Sequence, residues 1–342
     1  MAENSGRTIS IQKERSVKQF LLKWETLLVI IFIAVNIINI NLSSNYLKPT
    51  QLFNTINQFL VKGFIALPMA YILVLGEIDL SVGSTVVLSA TLLGVSYNAG
   101  LPMGLSVLIA VGTGLLCGML NGLILVKFKE LAPMIVTLGT MTLYRGLSMM
   151  ILGNESTGGM HEVEWFKNIY YARIGSVYYM TIGFIILAVV FGLVLHKTTL
   201  GRWFYAIGSN RTAAEYSAVP VQKVRFMAYT LTGLMSGMVG VLYASWMGTV
   251  RSDIAVGYEL EAISMCVLGG ISTAGGKGNF PGAIVAIFII GLLRYGLGLV
   301  NITGETMLVV IGVILILVVM LPNLEFKIAF LRIKKLLSGK PS

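Results

Sequence analysis

The chain's most unusual polar side chains are two carboxylic acids, Glu77 and Asp79, which lie between long apolar runs with no Lys or Arg beside them. An ionised group at membrane depth costs about 3 kcal/mol or more unless it is paired or hydrated, so such groups usually face a bundle interior or a cavity. The glycines and serines of residues 76–84 predict a helix break, with Asp79 or Ser81 capping the helix that follows. On one interpretation these groups line a substrate path, where two acids suit a polyol or a cation. On the other, the stretch is a short interfacial turn with hydrated carboxylates.

A second polar group lies on one face of a predicted helix. Thr137, Thr140 and Tyr144 occur at i, i+3 and i+7, so their hydroxyls share a face and are placed to bind a sugar. The alternative is that these hydroxyls bond to their own helix or to a neighbouring one. Arg145 follows directly, and we expect it either to extend toward the outer interface or to pair with Glu77 or Asp79.

The longest internal polar stretch, residues 196–225, predicts a short helix of its own. Ser209 or Asn210 is placed to cap a helix that runs through Tyr216 or Ser217, and Pro220 stops it. Such a helix, lying parallel to the membrane, is suited to contact a cytoplasmic partner. The alternative is a plain interfacial helix.

Catalytic and metal-binding chemistry find little support in the pattern. The chain has two histidines and two cysteines, none at a metal-ligand spacing, so we predict no catalytic residue, no metal and no cofactor. The glycine-rich stretch 270–278 resembles a phosphate loop but has one residue too many between its glycines and lacks the final Ser or Thr. We therefore expect the chain to be no enzyme and to hydrolyse no ATP.

These residues must be positioned by membrane helices. The chain is 56% hydrophobic and 12% charged, about half the charged fraction of ordinary soluble domains. Apolar stretches of bilayer length, about 20 residues, recur along it and predict an all-α, polytopic membrane protein of about ten transmembrane helices. The predicted spans are Thr26–Ile40, Gln58–Leu75, Ser81–Tyr97, Gly104–Val126, Ala132–Leu152, Val177–Leu195, Phe226–Met247, Glu259–Ile271, Pro281–Val300 and Met307–Leu321.

The distribution of positive charge predicts the orientation. Of 25 Lys and Arg residues, 18 fall on the side shared with both termini, four on the opposite side and three within spans. Because positive residues near span ends are retained in the cytoplasm, both termini are predicted to be cytoplasmic. This asymmetry also accounts for the net charge of +10 without a nucleic-acid partner. The predicted organisation is a basic N-terminal segment (1–25), a transmembrane domain (26–321) and a basic cytoplasmic tail (322–342).

Several motifs lie in order over about residues 60 to 320, namely 76–83, Asn121 with Gly122, 136–140 with 144–146, 199–202 with 206–210, and 267–270. Together they resemble the ribose-type family of ABC importer permeases, which includes subunits for ribose, xylose, galactose, rhamnose and autoinducer-2. The family usually has Gly where Glu77 stands, so this sequence adds a charge to that motif. Residues 65–69, 195–198 and 216–220 are most similar to an autoinducer-2 import permease, with simple sugars, including rhamnose, as close competitors.

The resemblance implies an import machine with several partners: one or more ABC ATPase subunits, a second permease subunit in a homodimer or heterodimer, and an extracytoplasmic solute-binding protein. Outer loops 153–176 and 248–257 would receive the binding protein. The implied substrate path includes Glu77, Asp79, Ser81, Asn121, Thr137, Thr140, Tyr144 and Arg145. The implied ATPase-coupling helix comprises Asn210, Arg211, Thr212, Ala213, Ala214, Glu215, Tyr216 and Ser217.

An ion-coupled secondary transporter is the main alternative to such an importer, with Glu77 and Asp79 as its coupling site. It predicts transport without ATP and often an internal repeat, which the sequence does not show.

Overall fold

The computed structural model describes residues 24–43 and 46–303, together with 306, 307, 309, 310, 312, 313 and 316. Apolar runs of the predicted lengths form α-helices, as expected where a backbone in lipid must satisfy its own hydrogen bonds. The helices are α1 (Trp24–Leu42), α2 (Pro49–Val74), α3 (Val82–Asn98), α4 (Met103–Lys127), α5 (Pro133–Leu152), α6 (Glu164–Tyr171), α7 (Tyr179–Lys197), α8 (Thr199–Ser209), α9 (Arg211–Tyr216), α10 (Val221–Met247), α11 (Tyr258–Leu268) and α12 (Phe280–Leu299).

Short elements fill the loops between the long helices. A 3-10 turn covers Met160–Glu162, and the strands are β1 (Ser156–Thr157), β2 (Arg173–Ile174), β3 (Val177–Tyr178) and β4 (Val250–Arg251). β1 pairs antiparallel with β4, and β2 pairs antiparallel with β3. The β1–β4 pair joins two loops that are far apart in sequence.

Six helices, α2, α4, α5, α7, α10 and α12, are long and apolar enough to cross a membrane, while α1 and α3 contain shorter apolar segments. The chain is therefore a largely helical, polytopic membrane protein. Each of the first nine predicted spans overlaps one of the described helices. Of the tenth predicted span, the structure describes residues 307, 309, 310, 312, 313 and 316, which are helical; its other residues, the predicted tail and nearly all of the predicted N-terminal segment lie outside the described residues.

Helices α2 and α10 form the centre of the molecule. Nearly every side chain of α2 from Phe59 to its end is buried, and α10 packs against α2, α3 and α4. The outer helices α4, α5 and α7 instead expose apolar side chains such as Leu108, Met150 and Ile186. This inversion of the soluble pattern is what a lipid-facing surface requires.

Glycines bring α4 and α10 into backbone contact. A Cβ on Gly114 would lie 2.5 Å from the carbonyl oxygen of Gly233, and one on Gly118 would lie 2.9 Å from the Cα of Gly233. Small residues three or four apart allow this approach, which the glycine spacing in both helices predicts. We refer to this contact, made by Gly114, Gly118, Gly233 and Gly237, as the glycine seam.

Helix boundaries differ from the sequence prediction in two informative places. Helix α2 begins at Pro49, nine residues before the predicted start, because polar residues such as Gln51 and Gln58 face a cavity inside the protein. Helix α10 begins at Val221 and not at Phe226, so Arg225 lies within it. A hydropathy criterion ends a span at such polar residues, although the helix continues through them.

Candidate functional site

Two non-helical segments bring the N-terminal ends of α3 and α11 together inside the protein. Residues 77–81 precede α3, and residues 252–257 precede α11. A Cβ on Gly83, in the first turn of α3, would lie 2.7 Å from the carbonyl oxygen of Ala255 and would also meet the carboxylate of Glu259. Discontinuous helices of this kind often border binding sites in transporters, since irregular backbone at membrane depth needs protein or water around it.

Arg145 supports the segment before α11. Its guanidinium donates to the backbone carbonyls of Ser252, Ile254 and Ala255, at 3.3, 3.0 and 3.5 Å. Among the described residues, Arg145 therefore bonds to the segment before α11 and does not pair with Glu77 or Asp79. Backbone carbonyls freed by the helix break take the place of an acidic partner.

Four of the predicted path residues form one buried hydroxyl network. Asp79 Oδ1 accepts from the backbone N–H of Ser81 (2.9 Å) and from its hydroxyl (2.7 Å). Asn121 Nδ2 donates to Ser81 Oγ at 2.8 Å, and the Tyr144 hydroxyl approaches Asn121 Oδ1 at 3.4 Å. We call Asp79, Ser81, Asn121 and Tyr144 the hydroxyl network. All four side chains are buried, and their hydrogen bonds join the segment before α3 to α4 and α5.

Two threonines of α5, Thr137 and Thr140, bond mainly to backbone carbonyls. Thr137 Oγ1 donates to the carbonyl of Pro133 at 3.0 Å and also lies 3.3 Å from the carbonyl of Ile78. Thr140 Oγ1 donates to the carbonyl of Thr137 at 3.2 Å. Thr137 thus helps to satisfy the non-helical segment before α3, which fits the alternative that hydroxyls bond within the protein.

Glu77 has a cationic partner that the sequence did not reveal. Its Oε1 accepts from Arg225 Nε at 2.5 Å and its Oε2 from the Tyr229 hydroxyl at 2.9 Å. Arg225 is 1% exposed and also donates through Nη1 to the carbonyl of Leu125 at 2.9 Å. We call Glu77, Arg225 and Tyr229 the closed cluster. The ion pair is buried, and both carboxylate oxygens are hydrogen-bonded.

A second ionic group, which sequence reasoning missed, joins three other helices. Lys62 Nζ lies 2.8 and 2.9 Å from the two carboxylate oxygens of Glu261, and Arg294 Nη1 donates to the same carboxylate. Lys62 Nζ also lies 4.7 Å from the centre of the Tyr258 ring. We call Lys62, Glu261 and Arg294 the open cluster, because Glu261 is 1% exposed whereas the side chains of Lys62 and Arg294 remain 15% and 25% exposed.

The open cluster borders a cavity of about 730 Å³ between α2, α10, α11 and α12. Its walls combine aromatic rings, amides and the ionic group, the usual make-up of a small-molecule site. The polar and aromatic lining residues are Gln51, Thr55, Gln58, Phe59, Lys62, Tyr243, Trp246, Asp253, Tyr258, Glu261, Arg294 and Tyr295.

The predicted short helix after residue 209 is present as α9. Asn210 caps it, since its Oδ1 accepts from the backbone N–H of Ala213 at 2.9 Å, and Pro220 precedes α10. Ala214 is buried against the protein, whereas Tyr216 is 90% exposed. Arg211 lies 3.7 Å from Glu215 on the adjacent turn. The remaining members of the predicted set, Thr212, Ala213 and Ser217, are exposed.

Helix α8, which precedes α9, packs closely against the end of α2. A Cβ on Gly208 of α8 would overlap the carbonyl of Val74 at the end of α2. The glycine-rich loop 270–278 lies against the same point, where the Gly276 N–H donates to the Val74 carbonyl at 2.8 Å. That amide is therefore engaged in helix packing.

Loops 153–176 and 248–257 meet on another face of the molecule. Through β1 and β4, Ser156 pairs with Arg251 and Thr157 with Val250. Arg251 and Asp253 form an exposed two-point ion pair, with the shorter distance 2.7 Å. Within the described residues, no group of three or more His, Cys, Asp or Glu side chains is placed to hold a metal ion.

The residues that sequence reasoning missed had weak signals. Lys62 and Arg294 stood out as charges inside predicted spans, but nothing linked them to Glu261, about 200 residues from Lys62. Arg225 was assigned to a cytoplasmic loop because the predicted span began one residue later. Long-range pairing depends on how helices pack, which a single sequence does not encode in its local pattern.

Comparison with known proteins relates this geometry to a family. The family model described as "Branched-chain amino acid transport system / permease component" matches residues 51–319. The chain is 36% identical over 295 residues to the ribose import permease protein RbsC of Bacillus subtilis, covering 85% of this chain and 90% of that one. It is 35% identical over 305 residues to the autoinducer 2 import system permease protein LsrD of Escherichia coli K12, covering 86% and 91%. No solved structure matches significantly.

Proposed function

Because the chain belongs to the family of branched-chain amino acid transport system permease components, we propose that it is the membrane-spanning permease subunit of a binding-protein-dependent ABC importer for a sugar or sugar-like molecule. The observation that carries this proposal is identity of 35–36% to ribose and autoinducer 2 import permeases over most of both chains. Ribose, rhamnose and autoinducer-2 are the candidate substrates.

The proposed topology has ten spans with both termini in the cytoplasm. Its support is the charge asymmetry: when the buried Arg225 is left out of the 18, 17 Lys and Arg residues remain on the side of the termini and four on the other. In this orientation α9 is cytoplasmic and the β1–β4 loops are extracytoplasmic. Reporter fusions after residues 129 and 168 should report opposite sides.

Helix α9 is the proposed contact for a separate ATPase subunit. Its Asn210 cap and the packing of α8 on α2 give a short helix on a firm base. The exposed Tyr216 and Glu215 side chains offer an aromatic ring and a charge to a cleft on the surface of the ATPase subunit. ATP-driven closure of the ATPase would then move α8 and, through Val74, the central helix α2.

The coupling proposal predicts that Tyr216→Ala with Glu215→Ala lowers both uptake and ATPase stimulation by the loaded binding protein, while insertion and thermal stability stay unchanged. Lys129→Ala is the matched control, since Lys129 is exposed on another loop of the same proposed side. Unchanged ATPase stimulation in the double variant would argue against docking on α9.

The remaining partners follow from the same family assignment. Loops 153–176 and 248–257, tied together by β1 and β4, form the proposed landing surface for an extracytoplasmic solute-binding protein. A second permease subunit, identical or different, would complete the transmembrane unit. The hydroxyl network, Thr137, Thr140 and Arg145 are proposed to shape the path by holding the segments before α3 and α11 in place.

The ion-coupled alternative needs Glu77 and Asp79 to change protonation during transport. Glu77 is paired with Arg225 and bonded to Tyr229, and Asp79 is held by Ser81. Such engaged acids favour a fixed structural role, which supports the importer proposal.

Reconstitution tests the proposed function. The chain is placed in liposomes with its ATPase and binding protein, and uptake of ribose, rhamnose and autoinducer-2 is measured. We expect uptake of one compound that requires both ATP and the binding protein. Uptake driven by an ion gradient alone would contradict the importer proposal and favour the secondary transporter.

A further inference from the structure

We propose that the cavity between α2, α10, α11 and α12 is a solute-binding site for a neutral, hydroxyl-rich small molecule. This inference rests on the proposed transport function and deepens it by naming a site and a ligand class. It concerns residues outside the predicted path, chiefly Gln58 and the open cluster.

The position of the cavity suits a binding site on a path across the membrane. Lys62 lies 13 residues after the first residue of α2, so at about 1.5 Å per residue it is about 20 Å along a helix of about 39 Å. The cavity therefore extends from Gln51, near the start of α2, to about the helix midpoint. Asp253 and Val256, from the loop that precedes α11, form part of its wall. In the proposed topology it opens toward the side on which a binding protein would release solute.

The charges of the lining favour a neutral ligand. The cavity is bordered by two cations, Lys62 and Arg294, and by two carboxylates, Asp253 and Glu261. These charges sum to zero, so the site offers no net attraction to an ion. Lys62 is already engaged by both oxygens of Glu261 and by the Tyr258 ring, which leaves it little capacity to bind an anion.

Hydrogen-bonding capacity remains for a ligand. An arginine carries five N–H groups, and only Nη1 of Arg294 has an acceptor among the described residues. The Gln58 amide is exposed and forms no hydrogen bond within that part of the chain. Together they offer several donors and one acceptor, a combination that hydroxyl groups match because each hydroxyl both donates and accepts.

Aromatic rings supply the apolar half of the site. Trp246, Tyr243, Tyr258 and Tyr295 all border the cavity, and Trp246 is held by stacking on Tyr170 with ring centres 5.5 Å apart. Flat ring faces carry negative charge density and pack well on the C–H faces of a sugar ring. A volume of about 730 Å³ lies within the usual range of about 300 to 1,000 Å³ for ligand pockets.

Site-directed labelling tests the inference on the intact importer complex in nanodiscs. Met247→Cys places a thiol on the cavity wall at a side chain that the proposal does not use for binding, and Asn168→Cys places one on the exposed outer face of α6 as a matched control. The native Cys117 and Cys266 are buried, so their background labelling is low. Alkylation by a membrane-impermeant maleimide is followed with ribose, rhamnose, autoinducer-2 or glucose 6-phosphate present.

We expect one neutral sugar or autoinducer-2 to protect Met247→Cys but not Asn168→Cys. At ten times its dissociation constant a ligand leaves about one cavity in eleven empty, so labelling falls about tenfold. Protection by glucose 6-phosphate alone would overturn the neutral class. ATP-dependent uptake without protection would overturn the cavity site while leaving the transport function intact, and protection without uptake would do the reverse.

Discussion

Two buried ionic groups in this protein solve the same electrostatic problem in different ways. The closed cluster pairs Glu77 with Arg225 and Tyr229 in a region with little access to water. The open cluster sets one carboxylate, Glu261, between two cations that remain partly exposed to a cavity. Each places a carboxylate beside a guanidinium within the helical body, yet only the second is accessible to a solute.

The packing of the surrounding helices explains the difference. Beside the closed cluster, the glycine seam lets α4 approach α10 so closely that Arg225 reaches the carbonyl of Leu125. Around the open cluster, aromatic side chains such as Trp246 and Tyr295 line a cavity. Close packing at small residues thus accompanies the buried structural pair, and an aromatic-lined cavity accompanies the pair that is open to a ligand.

The largest expected effect comes from Arg225→Leu, which leaves Glu77 as an unpaired buried carboxylate. Removing one partner of a buried ion pair costs about 3 to 5 kcal/mol, so we expect a strong loss of thermal stability in detergent. The double variant Glu77→Leu/Arg225→Leu is the control. Because it removes both charges, it should recover at least half of the loss, and failure to recover would show that the pair is not what the stability depends on.

Glu261→Gln should separate stability from transport at the open cluster. Loss of the carboxylate leaves Lys62 and Arg294 without a counter-charge, but cavity water partly solvates both, so we expect a cost of about 2 kcal/mol. We expect the uptake rate to fall by more than this loss of stability accounts for, because two uncompensated cations would alter a cavity lining that is otherwise neutral. Thermal unfolding and uptake are measured in parallel for both variants. If Glu261→Gln and Arg225→Leu lost uptake in the same proportion to their loss of stability, the distinction between the clusters would be removed.

The sequence predicted the helices of this fold better than the contacts between them. Apolar run length located each of the first nine predicted spans to within a few residues, except where α2 and α10 extend through polar residues such as Gln58 and Arg225. Asn210 and Pro220 defined α9, because caps and prolines act locally. The glycine spacing predicted close helix contact as well, although it did not show that α4 and α10 were the partners.

The candidate site was only half visible from sequence. The stretch 76–84 predicted a helix break, and Asp79 and Ser81 do lie in it. The remaining contacts join residues that lie 40 to 199 positions apart in the sequence. They are the contacts of Ser81 with Asn121, of Glu77 with Arg225 and of Lys62 with Glu261. Such contacts depend on the three-dimensional arrangement of helices, which local patterns do not specify.

The glycine seam provides a smaller and more local test. Gly233→Ala places a methyl group against the backbone of Gly114 and Gly118, and such overpacking costs about 1 to 2 kcal/mol. Gly112→Ala is the matched control, because a Cβ there meets nothing within 4 Å. We expect Gly233→Ala alone to lower the unfolding temperature and to increase hydrogen exchange around Arg225. Equal effects of both substitutions would mean that close approach does not seal the closed cluster.

Asp79→Asn should produce the smallest change in stability. It tests whether the hydroxyl network only supports the helices or also contacts solute. The substitution keeps an oxygen that can accept from the Ser81 N–H and hydroxyl, so we expect a cost of about 0.5 to 1 kcal/mol. If the network only holds α3, α4 and α5 together, the concentration for half-maximal uptake stays constant and only the maximal rate changes slightly. If Asp79 contacts solute in a state of the importer that opens this region, that concentration rises. Thr142→Val, which removes an exposed hydroxyl bonded within α5, is the control, and uptake kinetics of the two variants side by side decide between a supporting and a solute-contacting network.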